Sequence, residues 1–445
     1  MPLPSLKTRQ NILKSLAAFL LAVFVLGLLP RGSYALSADK SGDKVTGTVT
    51  EYTLPPDKLA KSAALRKTRW IEFVVDSVYG LALLLLFLYA RWTVAFRDLA
   101  ERVSRSLFAQ AWIFVPLFVI TLSVLDLPPE MYGHHISREY GLSVQGWPSW
   151  FADWGKALAL EVFIGTLLLW LMYLIIRKSP RLCWFYFWMV ALAVMVFMVF
   201  ISPVVLEPMF NKFVPLDSTN PALVTKIEEV VHRAGMNIPR SRMFEMKASE
   251  KTNELNAYVT GYGATKRVVV WDTTEQKMTT PQTLFVFGHE MGHYVLGHIW
   301  KGMVFAGGLM LVLFYLGYRL SVWLIRGNGL RWGILNLGDW ASLPVLILVI
   351  SVLSFFSEPI DNAFSRMVEH HADIYGLEVI HGIVPDSNQA AAQAFQVLGE
   401  NSLDYPYPNR FLVWWFDNHP SVPDRVRFAV DYDPWAKGES PQFVK

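Results

Sequence analysis

Six stretches of the chain, near 71–90, 107–125, 157–176, 183–203, 302–324 and 340–357, are apolar over close to the length needed to cross a bilayer, which as helix takes about 20 residues. No other feature restricts the fold as strongly, because backbone in lipid has to satisfy its own hydrogen bonds and only helices or closed barrels do so. Composition agrees: over 445 residues, 53% hydrophobic and 17% charged is too apolar for a soluble protein. A shorter seventh segment, Leu16 to Leu29, follows Lys7, Arg9 and Lys14 and precedes "SYA" at 33–35. It reads either as a secretory signal cleaved after Ala35 or as a first membrane helix that is retained. In both cases the N-terminus starts in the cytoplasm and residue 40 lies outside.

Counted from that start, the charged loops alternate. Arg91, Arg97, Arg102 and Arg105, then Arg177, Lys178 and Arg181, then Arg326 and Arg331 fall on one side. The loop at 127–156 is on the other and sets Arg138 and Lys156 against Asp126, Glu130, Glu139 and Asp153. The positive-inside rule makes the first side cytoplasmic. The polar segment 204–301 then lies on the non-cytoplasmic face, periplasmic in a bacterium, although Lys58, Lys61, Arg66, Lys67 and Arg69 count against this. Net charge is only +3 and the basic residues are dispersed, which excludes a nucleic-acid partner. The single cysteine, Cys183, rules out an internal disulfide and a thiolate metal site.

The chain divides into a signal-like or membrane segment at 1–35, a membrane-helix region at 36–203, and a catalytic part at 204–445 that includes the membrane helices near 302–324 and 340–357. Within the last, Pro221 after "DSTN", the stripe Leu223, Ile227, Val231 and the stop at Gly235 predict an amphipathic helix. "LNAYVTGYGATKRVVVWD" alternates, turns at "GYGAT" and resumes as a β-branched run, which predicts a hairpin with strand 255–260 at its edge.

Residues 285–298 read "FVFGHEMGHYVLGH". On a helix His289 and His293, four apart, share a face and are close enough to share one ion. Glu290 stands where a carboxylate takes a proton from metal-bound water, so the stretch is the H-E-x-x-H pattern of zinc peptidases. A catalytic zinc needs a third protein ligand. His298 is a poor candidate: metzincins have glycine three and histidine six residues after the second ligand, where this chain has Leu296 and Ile299. On a continuing helix His298 faces elsewhere and reads as a structural or rim residue. In "EPIDNAFSRMVEHHAD" (358–373), Asn362, Arg366, Glu369 and Asp373 line one helix face just after a membrane segment. Glu369 is the better third ligand and Asp373 a candidate to orient a ligating histidine. His370 and His371 are rivals that point away from Glu369 by about 100° and 200°.

With these motifs in view, the chain resembles the type I CAAX prenyl proteases, integral-membrane zinc metallopeptidases related to the heat-shock membrane proteases. The likeness rests on "HEMGH", "EPMFNKFVPL" at 207–216, "NAYVTGYGATKRVVVWD" at 256–272, "NAFSRMVEHHAD" at 362–373 and "HPSVPDR" at 419–425. It implies one Zn2+ per chain on His289, His293 and Glu369, with Glu290 as general base and Asp373 behind the ligands. It further implies Asn256 and Ala257 on the substrate-binding edge strand, and His419 and Arg425 reaching the reacting carbonyl. The fold it implies is mainly α: about seven membrane helices around an intramembrane chamber, with a gluzincin-type zinc peptidase domain that carries a small β-hairpin or sheet. Asp76 and Glu161, acids within membrane segments, suit a wet chamber.

The activity expected is that of a multi-pass membrane zinc metalloendopeptidase, attacking peptide bonds of peptide or protein substrates, lipidated tails included. Orientation raises an alternative substrate class, since a non-cytoplasmic site meets misfolded membrane or envelope proteins rather than cytosolic CAAX tails. A transporter would explain the membrane segments but not the peptidase constellation outside them, and an inactive membrane scaffold would have lost a ligand or the base.

Overall fold

The computed structural model describes residues 44–261 and 266–444. The signal-like segment 1–35 and most of the "GYGAT" turn lie outside the described residues. Helix α1 (Pro56–Tyr89) leads through a short amphipathic helix, α2 (Trp92–Val103), into α3 (Leu107–Glu139), α4 (Trp147–Lys178) and α5 (Cys183–Ile201). After β1 (Phe213–Pro215) and α6 (Pro221–Arg233) come β2 (Met243–Met246), β3 (Ala257–Thr260) and β4 (Arg267–Trp271). Helices α7 (Thr280–Val295), α8 (His298–Trp332) and α9 (Leu343–Ile380) follow, then α10 (Ser387–Asn401), α11 (Arg410–Phe416) and α12 (Val422–Asp431).

Five of these helices, α1, α3, α4, α8 and α9, are long and apolar enough to cross a membrane, and α5 with the bent segment that follows it makes a sixth. The six apolar stretches of the sequence fall on them, and three helices run well past the bilayer. Helix α1 begins at Pro56 rather than near 71, and its first turns leave the membrane region: Lys58 pairs with Glu400 at 2.7 Å and Arg66 with Asp417 at 3.7 Å. Two of the five basic residues that counted against the orientation, Lys58 and Arg66, therefore have carboxylate partners on the catalytic part. Helix α3 continues through Pro128 and Pro129 into the segment read as loop. Pro129 has no N–H for the Leu125 carbonyl, and the Tyr79 hydroxyl donates to that oxygen instead, at 2.6 Å.

Helix α9 extends furthest. Its 38 residues span about 57 Å at 1.5 Å per residue, against about 30 Å of hydrocarbon. Membrane segment and polar motif are thus one rod, and the C-terminal third of α9 enters the catalytic core. The metal motif on α7 is almost joined to the membrane helix α8, with only Leu296 and Gly297 between them. Gly297 takes the left-handed conformation, φ +68°, so the helix does not continue through His298 as the spacing reading assumed. The chain turns, and His298 starts a new helix.

The sheet order is β1-β2-β4-β3, with β2/β4 parallel and the two outer pairings antiparallel. The expected hairpin is β3/β4, with Ala257 opposite Val270, and β3 forms a sheet edge. Helix α6 starts behind the Asn220 cap and buries Leu223, Ile227 and Val231 as the stripe required. One core, around Phe285, Phe287, Phe395 and Ile227, holds the catalytic part together. A second, around Phe87, Phe114, Tyr173 and Trp340, closes the far end of the membrane bundle. There Arg91 donates to the Arg331 carbonyl, Arg97 to Gly333 and Asp339, and Arg177 to Gly338. The three basic loops therefore meet at one end, opposite the catalytic part. Within the bundle, Asp126 lies in electrostatic reach of Glu130, Asp76 and Glu161, so acids of α1, α3 and α4 turn toward one another.

Candidate metal centre

Glycine makes the site possible. A Cβ on Gly376 of α9 would lie 2.7 Å from the His289 nitrogen, and one on Gly288 of α7 would lie 2.8 Å from Val379 Cγ1. At Gly292 a Cβ would sit 3.0 Å from Tyr375 Cβ. The two helices therefore touch backbone to backbone, which brings Glu369, nearly two turns before Gly376, against the histidines of α7. The N-terminus of α7 is set by a capping box between Thr279 and Gln282, so both histidines sit on a helix fixed at its start and along its length.

The nitrogens His289 Nε2 and His293 Nε2 are 3.1 Å apart. Glu369 Oε2 is 3.3 Å from the first and Glu369 Oε1 is 3.4 Å from the second. Zinc with nitrogen ligands at 2.0–2.1 Å in a tetrahedron requires donors about 3.3 Å apart. The buried Glu369 Oε2 has no hydrogen bond among the described residues, as an atom meant for a cation would be. The donor set thus fits a tetrahedral ion with one open position.

Behind it, His289 Nδ1 meets Asp373 Oδ1 at 2.8 Å, and Arg425 holds both oxygens of Asp373, through Nε at 2.9 Å and Nη2 at 2.6 Å. Burial works against a charge on His289, but Asp373 and Glu369 outweigh it and push the metal-free ring up to about 10. Glu290 makes no hydrogen bond among the described residues, and burial raises its carboxyl above the ordinary range while the neighbouring histidines oppose the shift. His419 reaches Glu369 Oε2 with Nε2 at 3.3 Å, its Nδ1 on the Asn418 amide at 2.7 Å.

The residues singled out in the sequence thus converge, with differences of detail. Arg425 commits two nitrogens to Asp373, so in this structure it supports the ligand shell rather than pointing only at an incoming carbonyl. Asn362 and Arg366 do not join the metal. They donate to the carbonyls of Trp415, Val413 and Asp417 and so carry the segment that delivers His419. His370 packs on Phe428 and His371 on Phe443, away from the cluster. His298, passed over in the sequence, is buried beside His293, Nδ1 to Nδ1 at 3.1 Å. Only the glycine before it signals the turn responsible.

The bond from Trp271 N to Asn256 O makes 256/271 a hydrogen-bonded pair. Alternation then turns the amide and carbonyl of Ala257 and Val259 to the side of β3 away from β4, an edge packed beside α7 at which Ala257 is fully buried and Val259 half-buried. A cleft of about 430 Å³ opens next to His419, walled by Trp70, Phe73 and Phe416, and one of about 350 Å³ adjoins His293 and His298.

Comparison with known proteins gives this arrangement a family. Residues 217–432 match the model of peptidase family M48, and residues 40–212 match that of the CAAX prenyl protease N-terminal region with five membrane helices. The metalloprotease YhfN of Bacillus subtilis (strain 168), itself described as uncharacterized, is 33% identical over 421 residues, covering 94% of this chain and 96% of that one. The chain belongs to peptidase family M48. A CAAX prenyl protease 1 homolog of Dictyostelium discoideum is 27% identical over 339 residues, 74% of this chain and 75% of its own. The S. mikatae Ste24p crystal structure superposes with a TM-score of 0.73 at 23% identity, covering 94% of this chain and 98% of that one, and shares the fold. As an M48 member with five helices long and apolar enough to cross a membrane, the protein is an integral-membrane metallopeptidase that acts on peptide substrates.

Proposed function

We propose that this M48 peptidase is a zinc-dependent endopeptidase in which His289, His293 and Glu369 hold the metal and Glu290 is the general base. The observation that carries the reading is the convergence of two imidazole nitrogens and one carboxylate, each of whose oxygens lies 3.3–3.4 Å from one nitrogen and one of which has no hydrogen bond among the described residues, close to the separations a tetrahedral ion requires. Zinc bound there acidifies water and polarises the scissile carbonyl.

The chain's own residues account for the rest. An extended substrate adds to the β3 edge, where the outward main chain of the half-buried Val259 holds it, the exposed Asn256 flanks it, and the buried Ala257 pairs once its cover is displaced. Glu290 takes a proton from the attacking water and returns it to the leaving amine, a role that its burial favours by raising its proton affinity. His419 donates from Nδ1 to Asn418 Oδ1, which orients the ring; when the ring also carries its second proton, Nε2 donates to the developing oxyanion, where one such donor is worth about 3 kcal/mol. Arg425 fixes Asp373, and Asp373 keeps the proton of His289 on Nδ1 so that Nε2 is available to the ion.

For the substrate, two observations pull apart. Relatives are named CAAX prenyl proteases, which supports a lipidated tail. The gathering of Arg91, Arg97 and Arg177 at the end remote from the metal supports a non-cytoplasmic catalytic face by the positive-inside rule. We favour the second, with membrane or envelope polypeptides as substrates. Detergent-purified wild type and Glu290→Ala, given one peptide with and without a prenyl group, test both points. Both proteins are expected to hold about one zinc and only wild type to cut, with no dependence on the lipid. Absence of zinc from the wild type would end the ligand assignment, and cleavage confined to the prenylated peptide would restore the CAAX reading.

A further inference from the structure

His293 faces the proposed ion with Nε2, which lies 3.1 Å from His289 Nε2 and 3.4 Å from Glu369 Oε1. A histidine that gives the lone pair of Nε2 to a metal carries its proton on Nδ1, and that N–H needs an acceptor to fix the ring. For His289 the acceptor is Asp373. For His293 the atom in reach is Nδ1 of His298, at 3.1 Å, with the two rings at 73° to one another. An N–H on one ring thus meets a lone pair on the other.

We propose that His298 is the positioning residue of the second metal-ligating histidine: it accepts the Nδ1–H of His293 and locks that ring with Nε2 toward the ion. The inference rests on the ligand set of the preceding section and assigns His298 no contact with substrate or metal.

The backbone is built for this contact. Five residues along an unbroken helix would set His298 about 140° away from His293. Gly297, at φ +68°, breaks the helix and returns His298 to the ligand. A Cβ at Gly297 would meet nothing within 4 Å, so the glycine serves the turn and not a close approach. His298 is 6% exposed, so water does not compete for its Nδ1. Accepting at Nδ1 leaves its own proton on Nε2, which is buried without a hydrogen-bond partner among the described residues, and the ring neutral. The two ligating histidines are therefore held unequally, His289 by a carboxylate backed by Arg425 and His293 by a neutral imidazole. The site gains orientation at His293 without a further negative charge.

The test compares His298→Leu with His298→Asn, whose Oδ1 can accept where Nδ1 did. Zinc affinity is measured by chelator competition on each detergent-purified full-length protein, alongside the melting temperature of the metal-free form. Loss of such a partner typically weakens a metal site about 10–100-fold, so the leucine variant is expected to lose affinity in that range while the asparagine variant recovers most of it. Metal-free melting temperatures that stay together place the effect on the site and not on the fold. Leucine and wild type binding zinc equally, or leucine and asparagine losing equally, overturns the assignment. A wild type that binds no zinc would instead overturn the ligand set on which it rests.

Discussion

At the scale of single residues, the centre depends on where protons sit. In the metal-free fold His289 is pushed up to about 10, burial opposing and Asp373 and Glu369 prevailing, whereas an unfolded histidine titrates near about 6.5. The folded-state value is raised, so the stabilisation is complete below the unfolded pKa and is lost as pH rises through about 10. At neutral pH the ring therefore carries a proton that an incoming ion must displace. Zinc titrations at pH 8 in buffers of different ionisation enthalpy are expected to report release of close to one proton from this ring. Buffer-independent heats in the wild type would contradict the assignment. Which residues converge in the fold was largely legible at this scale. The four-residue spacing of His289 and His293, with Glu290 between them, needs only a helix to become a half-site. The use made of Arg425 and His298 was not legible, since it depends on one segment folding back from 52 residues downstream and on a break at Gly297.

At the scale of elements, the decisive contact is α7 against α9. Gly288, Gly292 and Gly376 remove the side chains that would hold these helices apart, and Glu369 reaches the histidines only because they do. Gly376→Ala would force a Cβ to 2.7 Å from backbone. It is expected to destabilise the protein by about 1–3 kcal/mol and to weaken zinc binding at least as strongly. Gly308→Ala, where a Cβ meets nothing within 4 Å, is expected to be neutral or to gain a few tenths of a kcal/mol in helix propensity. Denaturation and zinc affinity measured on both variants check this, and equal behaviour of the two would count against the close approach. The pattern exposed the elements themselves: the stripe of α6, the alternation of β3, the β-branched run of β4, and the apolar runs of the membrane helices. It did not expose their ends. Helices α1, α3 and α9 run on past the bilayer because their polar turns find partners in the catalytic part, and hydropathy sees only the apolar portion.

At the scale of the molecule, the long helices make one body of the membrane region and the peptidase. The proposed metal ligands sit on α7, joined almost directly to α8, and on α9, so both sides of the candidate site are tied to helices able to cross a membrane. The opposite end is tied by Arg97, which pairs with the nearly inaccessible Asp339 at 2.6 Å. Arg97→Met leaves that carboxylate buried and unpaired, a loss of about 3–5 kcal/mol. A clearly lower melting temperature in detergent is expected, with unchanged turnover by the protein that remains folded. An unchanged melting temperature would mean the pair is dispensable. A reporter fused after Lys445 is expected to read as non-cytoplasmic, because the basic loops lie at the far end from the catalytic part. A cytoplasmic reading would reverse the orientation and return prenylated tails to consideration. The sequence by itself determined the class of the molecule and the chemistry at its centre, because hydrophobic length and helical spacing are local properties that neighbouring residues set together. Only the tertiary structure decided how α7 and α9 meet, which imidazole partners which acceptor, and which helix packs beside the sheet edge. Those contacts join residues far apart in the chain, and backbone clearance and hydrogen-bond geometry select among arrangements that the sequence pattern alone leaves equivalent.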